Sequence, residues 1–487
     1  MSDIIIHKLN EAFLKIECEN GIAQELSSYF SFRVPGYQFV PAYKNRIWDG
    51  YIKLFSLKDF TIYHGLVPYI ETFCKERDYK LEIDADVNCT ENYSVVEAEQ
   101  FISTLKIPLE VRDYQLKSFI HAVRNKRILL LSPTASGKSL IIYLILRHLQ
   151  IENIKGLLIV PTTSLVEQMY KDFADYGYDS DQYCHRQYSG KEKHTNKFLT
   201  ITTWQSIYKN DKEYFEQFDF VLGDEAHQFK AKSLTTILSG CTNAKYRIGT
   251  TGTLDGTQTH KLVLEGLFGP VYKATSTAEL MEKGQLAAFK IKCLILKYDE
   301  SICKQARDWD YQSEIDYIVK SKPRNEFIKN LVLSLKGNTL VLFQFVEKHG
   351  KELHALIKDH AKNRHVFFVF GGTDVEVRES VRAITEKEKD AIIVASYGTF
   401  STGVNIRNLH NIVFASPSKS KIRNLQSIGR GLRLGDNKEE ATLFDISDDF
   451  RIGKFTNYSL HHFVERVKIY DDEKFKYKFY NINLKNE

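Results

Sequence analysis

Residues 128–149 constrain the fold most, because they form an apolar stretch, a short loop of small residues and a second long apolar stretch. Ile128 to Leu131 predict a buried parallel strand, and a helix is predicted from Ser139 onward. The loop ends in Gly-Lys-Ser and begins at Ser132, where a phosphate-binding loop usually has its first glycine. Such a loop presents backbone N–H groups and a helix N-terminus to an anion. Taken alone, the segment is also compatible with an ordinary strand–helix turn.

Two stretches of the chain alternate apolar strands with helical segments, which is typical of a parallel α/β sheet. The first has its predicted strands between residues 128 and 249, and the second between 290 and 445. The predicted fold class is α/β, with two tandem RecA-like parallel-sheet domains, a small N-terminal α+β domain and a short helical C-terminal tail. The predicted boundaries are 1–105 for the N-terminal accessory domain, 106–285 and 286–455 for the RecA-like domains, and 456–487 for the tail.

The charge balance narrows the possible partners only slightly. The chain of 487 residues has 67 basic and 62 acidic side chains and a net charge of +5. This mildly basic balance is compatible with binding nucleic acid. We expect neither a signal peptide nor a membrane-spanning segment.

The seven cysteines are scattered, without a C-x-x-C pair. This pattern predicts reduced thiols and a cytoplasmic location, and argues against a disulfide frame. Cys184, His185 and His194 are predicted to lie in a solvated loop, with a metal site there as the alternative.

An acidic pair follows the fourth predicted strand, within Gly223-Asp-Glu-Ala-His227. The carboxyl ends of parallel strands meet at one edge of a sheet, so we expect the pair to lie near the Gly-Lys-Ser loop. Hydrolysis of a nucleoside triphosphate needs such groups: Asp224 would hold Mg²⁺, and Glu225 would orient and deprotonate the attacking water. Lys138 would reach the β- and γ-phosphates, and the Ser139 hydroxyl would ligate Mg²⁺. The alternative is a solvated carboxylate pair at a strand end.

These motifs resemble motifs II and I of superfamily 2 helicases and translocases, and other segments resemble further motifs of that superfamily in order. In the first half, 111–115 is similar to the Q-motif region, which contacts adenine. Segments 160–168 and 202–206 resemble motifs Ia and Ib, which present backbone and hydroxyl groups to the phosphates of one strand. Segment 249–254 resembles motif III, whose hydroxyls couple hydrolysis to motion.

In the second half, 342–345 resembles motif IV, 395–405 resembles motif V and 426–433 resembles motif VI. The resemblance implies that Arg430 and Arg433 reach across a cleft to the γ-phosphate, so that catalysis depends on closure of the two cores. Asn405 departs from the pattern, since many members have an acid there that touches the ribose.

The resemblance implies ATP and Mg²⁺ as cofactors, and it assigns roles residue by residue. The catalytic residues are Lys138, Asp224, Glu225, Arg430 and Arg433, and the Mg²⁺ ligands are Ser139 and Asp224. The ATP-binding residues are Arg112, Gln115, Pro133, Thr134, Ala135, Ser136, Gly137, Lys138, Ser139, Gly403 and Gln426. The coupling residues are His227, Thr251 and Thr253. The DNA-binding residues in the two cores are Pro161, Thr162, Thr163, Thr202, Thr203, Trp204, Gln205 and Gln344.

Two segments outside the cores combine cations with aromatic rings. The run 36–55 is predicted to be hairpin-like, and its cations Lys44, Arg46 and Lys53 are candidates for contacts with a duplex backbone. We expect Trp48 to be a core residue, with stacking on DNA as the alternative. In 474–480, we expect the aromatics to pack on the protein, with a DNA-tracking strip as the alternative.

Beyond the motifs, the chain resembles the UvsW family of helicases from T4-like bacteriophages, in segments 45–54, 396–403 and 470–475 and in length. This implies an ATP-dependent DNA helicase that remodels Holliday junctions, stalled forks and R-loops by unwinding and annealing, in phage recombination, replication and repair. The implied partners are branched and single-stranded DNA, bound independently of sequence, RNA within R-loops, and replication or recombination accessory proteins. We expect a monomer in the cytoplasm, which is that of the host cell if the protein is encoded by a phage, without a membrane partner.

Three other functions compete with this hypothesis. A DEAH-type RNA helicase would use the same motifs. The motor subunit of a restriction system would translocate duplex DNA without separating its strands. A binding module with a decayed ATPase is disfavoured by the intact Lys138, Glu225 and Arg433.

Overall fold

The structure, a computed structural model, describes residues 2–484 apart from 89, 153, 189–194, 229–230, 255–257, 400–405, 407 and 418–439. The chain divides near residue 275 into two compact units. The first contains an N-terminal mixed sheet and a parallel sheet, and the second contains another parallel sheet. This arrangement confirms the predicted α/β class. Within the described residues, no helix combines the length and apolar character needed to cross a membrane.

The N-terminal part has a five-stranded sheet in the order β5-β6-β2-β1-β7 and a separate two-stranded ribbon of β3 and β4. Pairing in the larger sheet is antiparallel except between β1 and β7. Its strands are β1 (Ile4–Lys8), β2 (Phe13–Cys18), β3 (Ser31–Arg33), β4 (Tyr51–Lys53), β5 (Phe55–Ser56), β6 (Thr61–Tyr63) and β7 (Leu81–Ile83). Its α-helices are Asn20–Tyr29, Pro41–Lys44, Val67–Glu76 and Val95–Thr104.

The predicted hairpin over residues 36–55 is wrong in its pairing. β4 does pair in an antiparallel manner, but its partner is the upstream strand β3. The residues between them form a single 3₁₀ turn at Tyr37–Phe39 and the helix Pro41–Lys44, which begins with a proline at its first turn. Lys44, Arg46 and Trp48 therefore lie on a long connection, whereas Lys53 lies in the paired strand β4.

The first parallel sheet has seven strands in the order β10-β11-β9-β12-β13-β8-β14. They are β8 (Arg127–Leu131), β9 (Gly156–Val160), β10 (Cys184–Gln187), β11 (Leu199–Thr203), β12 (Phe220–Gly223), β13 (Tyr246–Thr251) and β14 (Val271–Lys273). Its α-helices are Asp113–Asn125, Lys138–Ile151, Thr163–Asp175, Ser180–Tyr183, Trp204–Ile207, Lys212–Glu216, Ala231–Gly240 and Gln258–Phe268.

The edge strand β10 differs from the sequence prediction. Residues 184–187 were expected in a loop, but they pair in parallel with β11, and the buried Cys184 thiol has a raised pKa because of that burial. Residues 204–216 contain two short helices, Trp204–Ile207 and Lys212–Glu216. The second begins where the Asp211 side chain accepts a hydrogen bond from the backbone N–H of Tyr214, which caps its N-terminus.

The N-terminal part and the first parallel sheet share one hydrophobic core. Buried residues of β1, β2 and the helix Val67–Glu76 belong to the same cluster as Leu129 and Ile159. Gly65 lies so close to the helix Gln258–Phe268 that an added Cβ atom would lie 2.0 Å from the carbonyl oxygen of Glu265. The hydroxyl of Tyr69 donates to Glu265 at 2.6 Å. The N-terminal part is therefore packed onto this sheet as a layer.

The second unit has a seven-stranded parallel sheet in the order β17-β18-β16-β19-β20-β15-β21. Its strands are β15 (Ala288–Lys297), β16 (Thr339–Phe343), β17 (Val366–Val369), β18 (Ile392–Ser396), β19 (Asn411–Phe414), β20 (Glu440–Asp449) and β21 (Lys476–Asn483). Its described α-helices are Thr277–Glu282, Glu300–Ala306, Tyr311–Lys320, Lys322–Ser334, Lys351–His360, Val375–Lys387 and Tyr458–Asp472.

The C-terminal segment ends in a strand and not only in the predicted helix. β21 pairs in parallel with β15 and forms one edge of the sheet. Phe479 contacts Phe463 and Tyr477 contacts Tyr470, both on the helix Tyr458–Asp472. These contacts and the burial of Phe475 agree with the predicted packing of the tail's aromatic rings on the protein, while Phe479 and Tyr480 are partly exposed.

Candidate active site

The loop between β8 and the helix Lys138–Ile151 is turned by two residues with left-handed backbone angles. These are Ala135, with φ of 68°, and Gly137, with φ of 77°. Inside the loop, the backbone N–H and the hydroxyl of Ser136 both donate to the carbonyl of Pro133, at 3.2 and 2.7 Å. The N–H of Ser132 donates to the carbonyl of Thr251 at 2.9 Å, which ties the start of the loop to β13. A left-handed alanine is unfavourable in itself, so the surrounding contacts must hold this shape.

Lys138 and the acidic pair meet at the carboxyl edge of the sheet. The ammonium of Lys138 lies 3.5 Å from a carboxylate oxygen of Glu225 and 3.4 Å from the carbonyl of Ser132. Asp224 is buried and accepts a hydrogen bond from the hydroxyl of Thr250 at 2.5 Å. Burial, and after it the negative charge of Glu225, raise the pKa of Asp224 to about 6. The site therefore concentrates negative charge that a cation would relieve.

The residues after β12 connect this pair to the end of β13. Glu225 has a positive φ of 50°, and the chain then makes the 3₁₀ turn Ala226–Gln228. On that turn, Nδ1 of the buried His227 lies 2.6 Å from the hydroxyl of Thr251 and 3.5 Å from Glu225. The Thr251 hydroxyl in turn donates to the carbonyl of Thr253 at 2.8 Å. The structure thus brings the three residues predicted to couple hydrolysis to motion into one chain of contacts.

The segment predicted to recognise adenine lies against the same loop. Gln115 is buried, and its side-chain nitrogen lies 3.5 Å from the carbonyl of Gly137. A Cβ atom on Gly137 would lie 2.5 Å from that nitrogen, and the left-handed φ of 77° at this position favours glycine. The guanidinium of Arg112 donates to the Tyr114 hydroxyl at 3.1 Å. Gln115 and the phosphate-binding loop are therefore positioned together.

The donors around this loop fit Mg²⁺ chemically, since a serine hydroxyl and a buried carboxylate are oxygen ligands of the kind that it prefers. The hydroxyl of Ser139 is bonded to the hydroxyl of Tyr176 at 2.8 Å, and Asp224 has one oxygen engaged by Thr250. The roles of Tyr176 and Thr250 were missed in the sequence. Thr250 lies within the Gly-Thr-Thr of motif III, which is a usable signal, whereas nothing marked Tyr176. The described residues contain no group of three or more His, Cys, Asp or Glu side chains that could hold a metal ion.

The residues predicted to bind a DNA strand lie at the ends of the neighbouring strands β9 and β11, whose registers pair Val160 with Thr203. The side chain of Gln205 donates to the carbonyl of Pro161 at 3.3 Å and joins the two segments. The hydroxyl of Thr162 caps the helix Thr163–Asp175, and Thr163 is exposed at its first turn.

Not every hydroxyl in this group faces outward. Thr202 is fully buried and its hydroxyl donates to the carbonyl of Gln187 at 2.7 Å, inside the sheet. The hydroxyl of Thr203 bonds that of Ser206 at 2.8 Å, and the half-buried Trp204 lies beside Tyr208.

The predicted cations of the N-terminal part line an open concavity of about 890 Å³. Lys44 and Arg46 are exposed there, whereas Lys53 is ion-paired with Asp49 at 2.7 Å. Trp48 is half-buried, and its indole N–H donates to the carbonyl of Tyr51 at 2.7 Å. It is therefore neither a deep core residue nor a freely exposed ring.

The other predicted residues belong to the second half of the chain. Gln344 is exposed directly after β16, and its backbone N–H donates to the Ser416 hydroxyl at 3.1 Å. Ser416 also bonds His349 and accepts a hydrogen bond at its carbonyl from Tyr397, so a buried network that the sequence did not reveal supports Gln344. Four predicted residues lie outside the described residues: Gly403, Gln426, Arg430 and Arg433.

Three family models match the chain in sequence order. "DNA helicase UvsW, N-terminal" matches residues 3–84, "Type III restriction enzyme, res subunit" matches 106–256, and "Helicase conserved C-terminal domain" matches 323–435. The chain is also similar in fold to the DNA-bound Type ISP restriction-modification enzyme LlaBIII, with a TM-score of 0.57 and 15% identity over 85% of this chain and 34% of that one. At that identity the likeness concerns the fold alone.

Similarity to one relative extends over the whole chain. The ATP-dependent DNA helicase uvsW of Enterobacteria phage T4 is 36% identical over 507 aligned residues, which cover 99% of this chain and 100% of the relative. The crystal structure of T4 UvsW matches with a TM-score of 0.53 and 34% identity, over 99% of this chain and 100% of that one. The chain therefore belongs to the UvsW family of superfamily 2 ATP-dependent DNA helicases.

Proposed function

We propose that this helicase remodels branched DNA, namely Holliday junctions, stalled forks and R-loops, by both unwinding and annealing strands in phage recombination, replication and repair. The observation that carries the motor function is the approach of Lys138 to Glu225, 3.5 Å apart, beside the buried Asp224. The extension to branched DNA is supported by the family match of residues 3–84, which adds an N-terminal layer with an exposed basic and aromatic surface.

In the proposed nucleotide site, the backbone N–H groups of 133–139 and the ammonium of Lys138 bind the phosphates. Glu225 orients the attacking water and accepts its proton. Mg²⁺ held by Ser139 and Asp224 would supply positive charge against the phosphate oxygens. Gln115 and Arg112 would fix the base. Release of the Lys138 ammonium from Glu225 toward the phosphates would free that carboxylate for water.

Arg430 and Arg433 are proposed, from the motif VI resemblance, to complete the site by stabilising charge on the γ-phosphate. Such an arginine contributes about 10³–10⁵ in turnover in phosphoryl-transfer enzymes. Gly403 and Gln426 are proposed as further nucleotide contacts on the same grounds.

The proposed path of one DNA strand runs along the ends of β9 and β11. Thr162, Thr163 and Gln205 would offer hydroxyl, amide and backbone groups to phosphates there. In the second unit, Gln344 is proposed as a separate contact with DNA. Thr202 would contribute through its backbone, since its hydroxyl is engaged inside the sheet. Affinity that rests on phosphate contacts would be independent of sequence and would fall steeply with salt.

Lys44, Arg46 and Lys53 are proposed to bind the duplex arms of a junction, with Trp48 at the edge of the concavity available to stack on an unpaired base. The protein would act as a monomer in the host cytoplasm. RNA would be a partner within R-loops, and replication or recombination proteins would be accessory partners.

The test is ATP hydrolysis measured with single-stranded DNA, duplex, a four-way junction and RNA. We expect the greatest stimulation with branched or single-stranded DNA. Glu225→Gln should lower turnover by about 10²–10⁴-fold while DNA binding is retained. Glu213→Gln, on the helix Lys212–Glu216, is the matched control and should leave turnover unchanged.

Two results would contradict the proposal. Stimulation by RNA alone would favour an RNA substrate over branched DNA. Translocation that displaces a triplex strand without separating a duplex would favour a motor of the restriction type.

A further inference from the structure

Four lysines lie together on one face of the second unit's sheet, at its edge. The registers of β15 and β21 place Lys290 opposite Lys476, and Lys292 opposite Lys478. All four side chains are exposed. Neighbouring strands are about 4.8 Å apart and residues i and i+2 about 6.6 Å apart, so the four Cα atoms form a compact grid. We call these four residues the lysine face.

This arrangement has a cost, because like charges directly opposite each other on neighbouring strands are destabilising. Little of the charge is neutralised within the protein. Lys290 pairs with Glu440 at 2.5 Å, and the Lys292 ammonium lies 5.3 Å from the centre of the Phe444 ring. Among the described residues, Lys476 and Lys478 have no ion-pair partner. Mixed charges would serve solubility equally well without this repulsion.

The lysine face is separated from the proposed strand path. It occupies the first half of β15, whereas Gln344 follows the last residue of β16, and these strands run in the same direction through β19 and β20. The lysines thus lie toward the amino ends of the strands of this sheet, and Gln344 lies at their carboxyl ends. Further along β15, the residues on the same face are Leu294 and Leu296, and both are buried. The aromatic residues Tyr477 and Phe479 point to the other face, toward the helix Tyr458–Asp472.

We infer that the lysine face is a second nucleic-acid contact, which binds the sugar–phosphate backbone of a duplex arm away from the translocated strand. This inference rests on the proposed function, because a branched substrate supplies such an arm. Charge complementarity identifies the occupant: a grid of exposed ammonium groups suits the regularly spaced phosphates of a duplex, and phosphate contacts read no bases. The face would hold one arm while the motor moves another.

The experiment compares Lys476→Gln/Lys478→Gln with the wild-type protein. Binding to a short labelled duplex and to a single strand is measured without nucleotide over a range of salt concentrations. Loss of two phosphate contacts should lower the slope of log K against log salt by about 2, and weaken duplex binding about ten-fold at physiological salt. Single-strand binding should change much less. Lys290→Gln/Lys292→Gln should behave in the same way.

The matched control is Lys351→Gln/Lys358→Gln, which removes two exposed lysines from the helix that packs against β17, at the opposite edge of the sheet. The melting temperature of Lys476→Gln/Lys478→Gln should stay equal or rise, because repulsion is removed. Duplex binding equal to that of the control would overturn the inference, as would an equal loss for single strands. DNA-stimulated hydrolysis is measured separately, so failure of the motor proposal is distinguishable from failure of the lysine face.

Discussion

Nδ1 of His227 lies 2.6 Å from the hydroxyl oxygen of Thr251, and that hydroxyl gives its only proton to the carbonyl of Thr253. The imidazole must therefore donate at Nδ1, which fixes its tautomer. His227 also lies 3.5 Å from Glu225, so this set of contacts joins the acidic pair to the segment after β13.

This relationship predicts that His227→Ala and Thr251→Val separate hydrolysis from strand separation. Both substitutions remove the hydrogen bond between the 3₁₀ turn Ala226–Gln228 and the end of β13. Neither changes Lys138 or the acidic pair. We expect DNA-stimulated hydrolysis to persist, while the DNA unwound per ATP falls about ten-fold, a typical size for a coupling effect. Parallel ATPase and fluorescent unwinding assays measure this ratio.

Thr250→Val is the neighbouring control, because Thr250 bonds Asp224 and not His227. It should lower hydrolysis and unwinding in equal proportion. If Thr250→Val and Thr251→Val changed the ratio equally, the coupling role of His227 would be wrong.

The ion pair of Lys138 with Glu225 predicts a loss of nucleotide affinity in Lys138→Gln. The substitution removes the ammonium that would meet the phosphates and leaves two adjacent carboxylates, Asp224 and Glu225, without their cation. Binding of a fluorescent ATP analogue should weaken at least ten-fold, as expected when a charge-assisted contact is lost. Lys117→Gln, an exposed lysine on the helix Asp113–Asn125, should bind the analogue normally.

Gly65→Ala is expected to destabilise the first unit. Its Cβ atom would lie 2.0 Å from the carbonyl oxygen of Glu265, so backbone must move. Overpacking of this kind costs about 1–3 kcal/mol, which thermal unfolding would detect as a lower melting temperature. Gly21→Ala is the control, since nothing lies within 4 Å of its added atom and it is in the helix Asn20–Tyr29. An unchanged melting temperature for Gly65→Ala would show that the two layers are not in tight contact.

Two buried histidines, one in each unit, predict a loss of stability in mild acid. Burial lowers the pKa of His64 and of His349 from 6.5 to about 3. In the unfolded chain these groups bind protons as the pH falls through 6.5, while in the folded protein they do not. The stability they support is therefore complete above pH 6.5 and is lost as the pH falls toward 3, by about 1 kcal/mol per histidine one pH unit below 6.5.

Melting temperatures between neutral pH and about pH 5 measure this effect. The variant His64→Gln/His349→Gln should be less stable at neutral pH, because it loses the bonds from His64 to Val87 and from His349 to Ser416. Its melting temperature should nevertheless vary less with pH than that of the wild-type protein. An equal pH dependence in both proteins would exclude these histidines as the cause.

The sequence predicted the inner strands of both sheets well, because residues such as Leu129 and Val341 lie in uninterrupted apolar runs that are buried on both faces. Edge strands were harder to predict. The polar segment 184–187 resembles a loop in the sequence, and its strand pairing depends on the neighbour β11. Propensity alone does not contain that information.

The nucleotide-site residues were predictable from the order of the motifs, but the direction of individual side chains was not. Thr202 and Thr203 are adjacent in one motif, yet the hydroxyl of the first is committed to the carbonyl of Gln187, inside the sheet. The contact between Tyr176 and Ser139 joins residues 37 positions apart in sequence, so only the folded chain reveals it. Lys290 and Lys476 are likewise distant in the sequence, and only the folded chain shows that they lie opposite each other on neighbouring strands.

The close approach of Gly65 to Glu265 has a mechanical consequence. An interface without space for a single methyl group cannot slide, and the hydrogen bond from Tyr69 resists its separation. The N-terminal layer and the first parallel sheet are therefore expected to move as one rigid body. DNA bound at the concavity would therefore move together with the first parallel sheet.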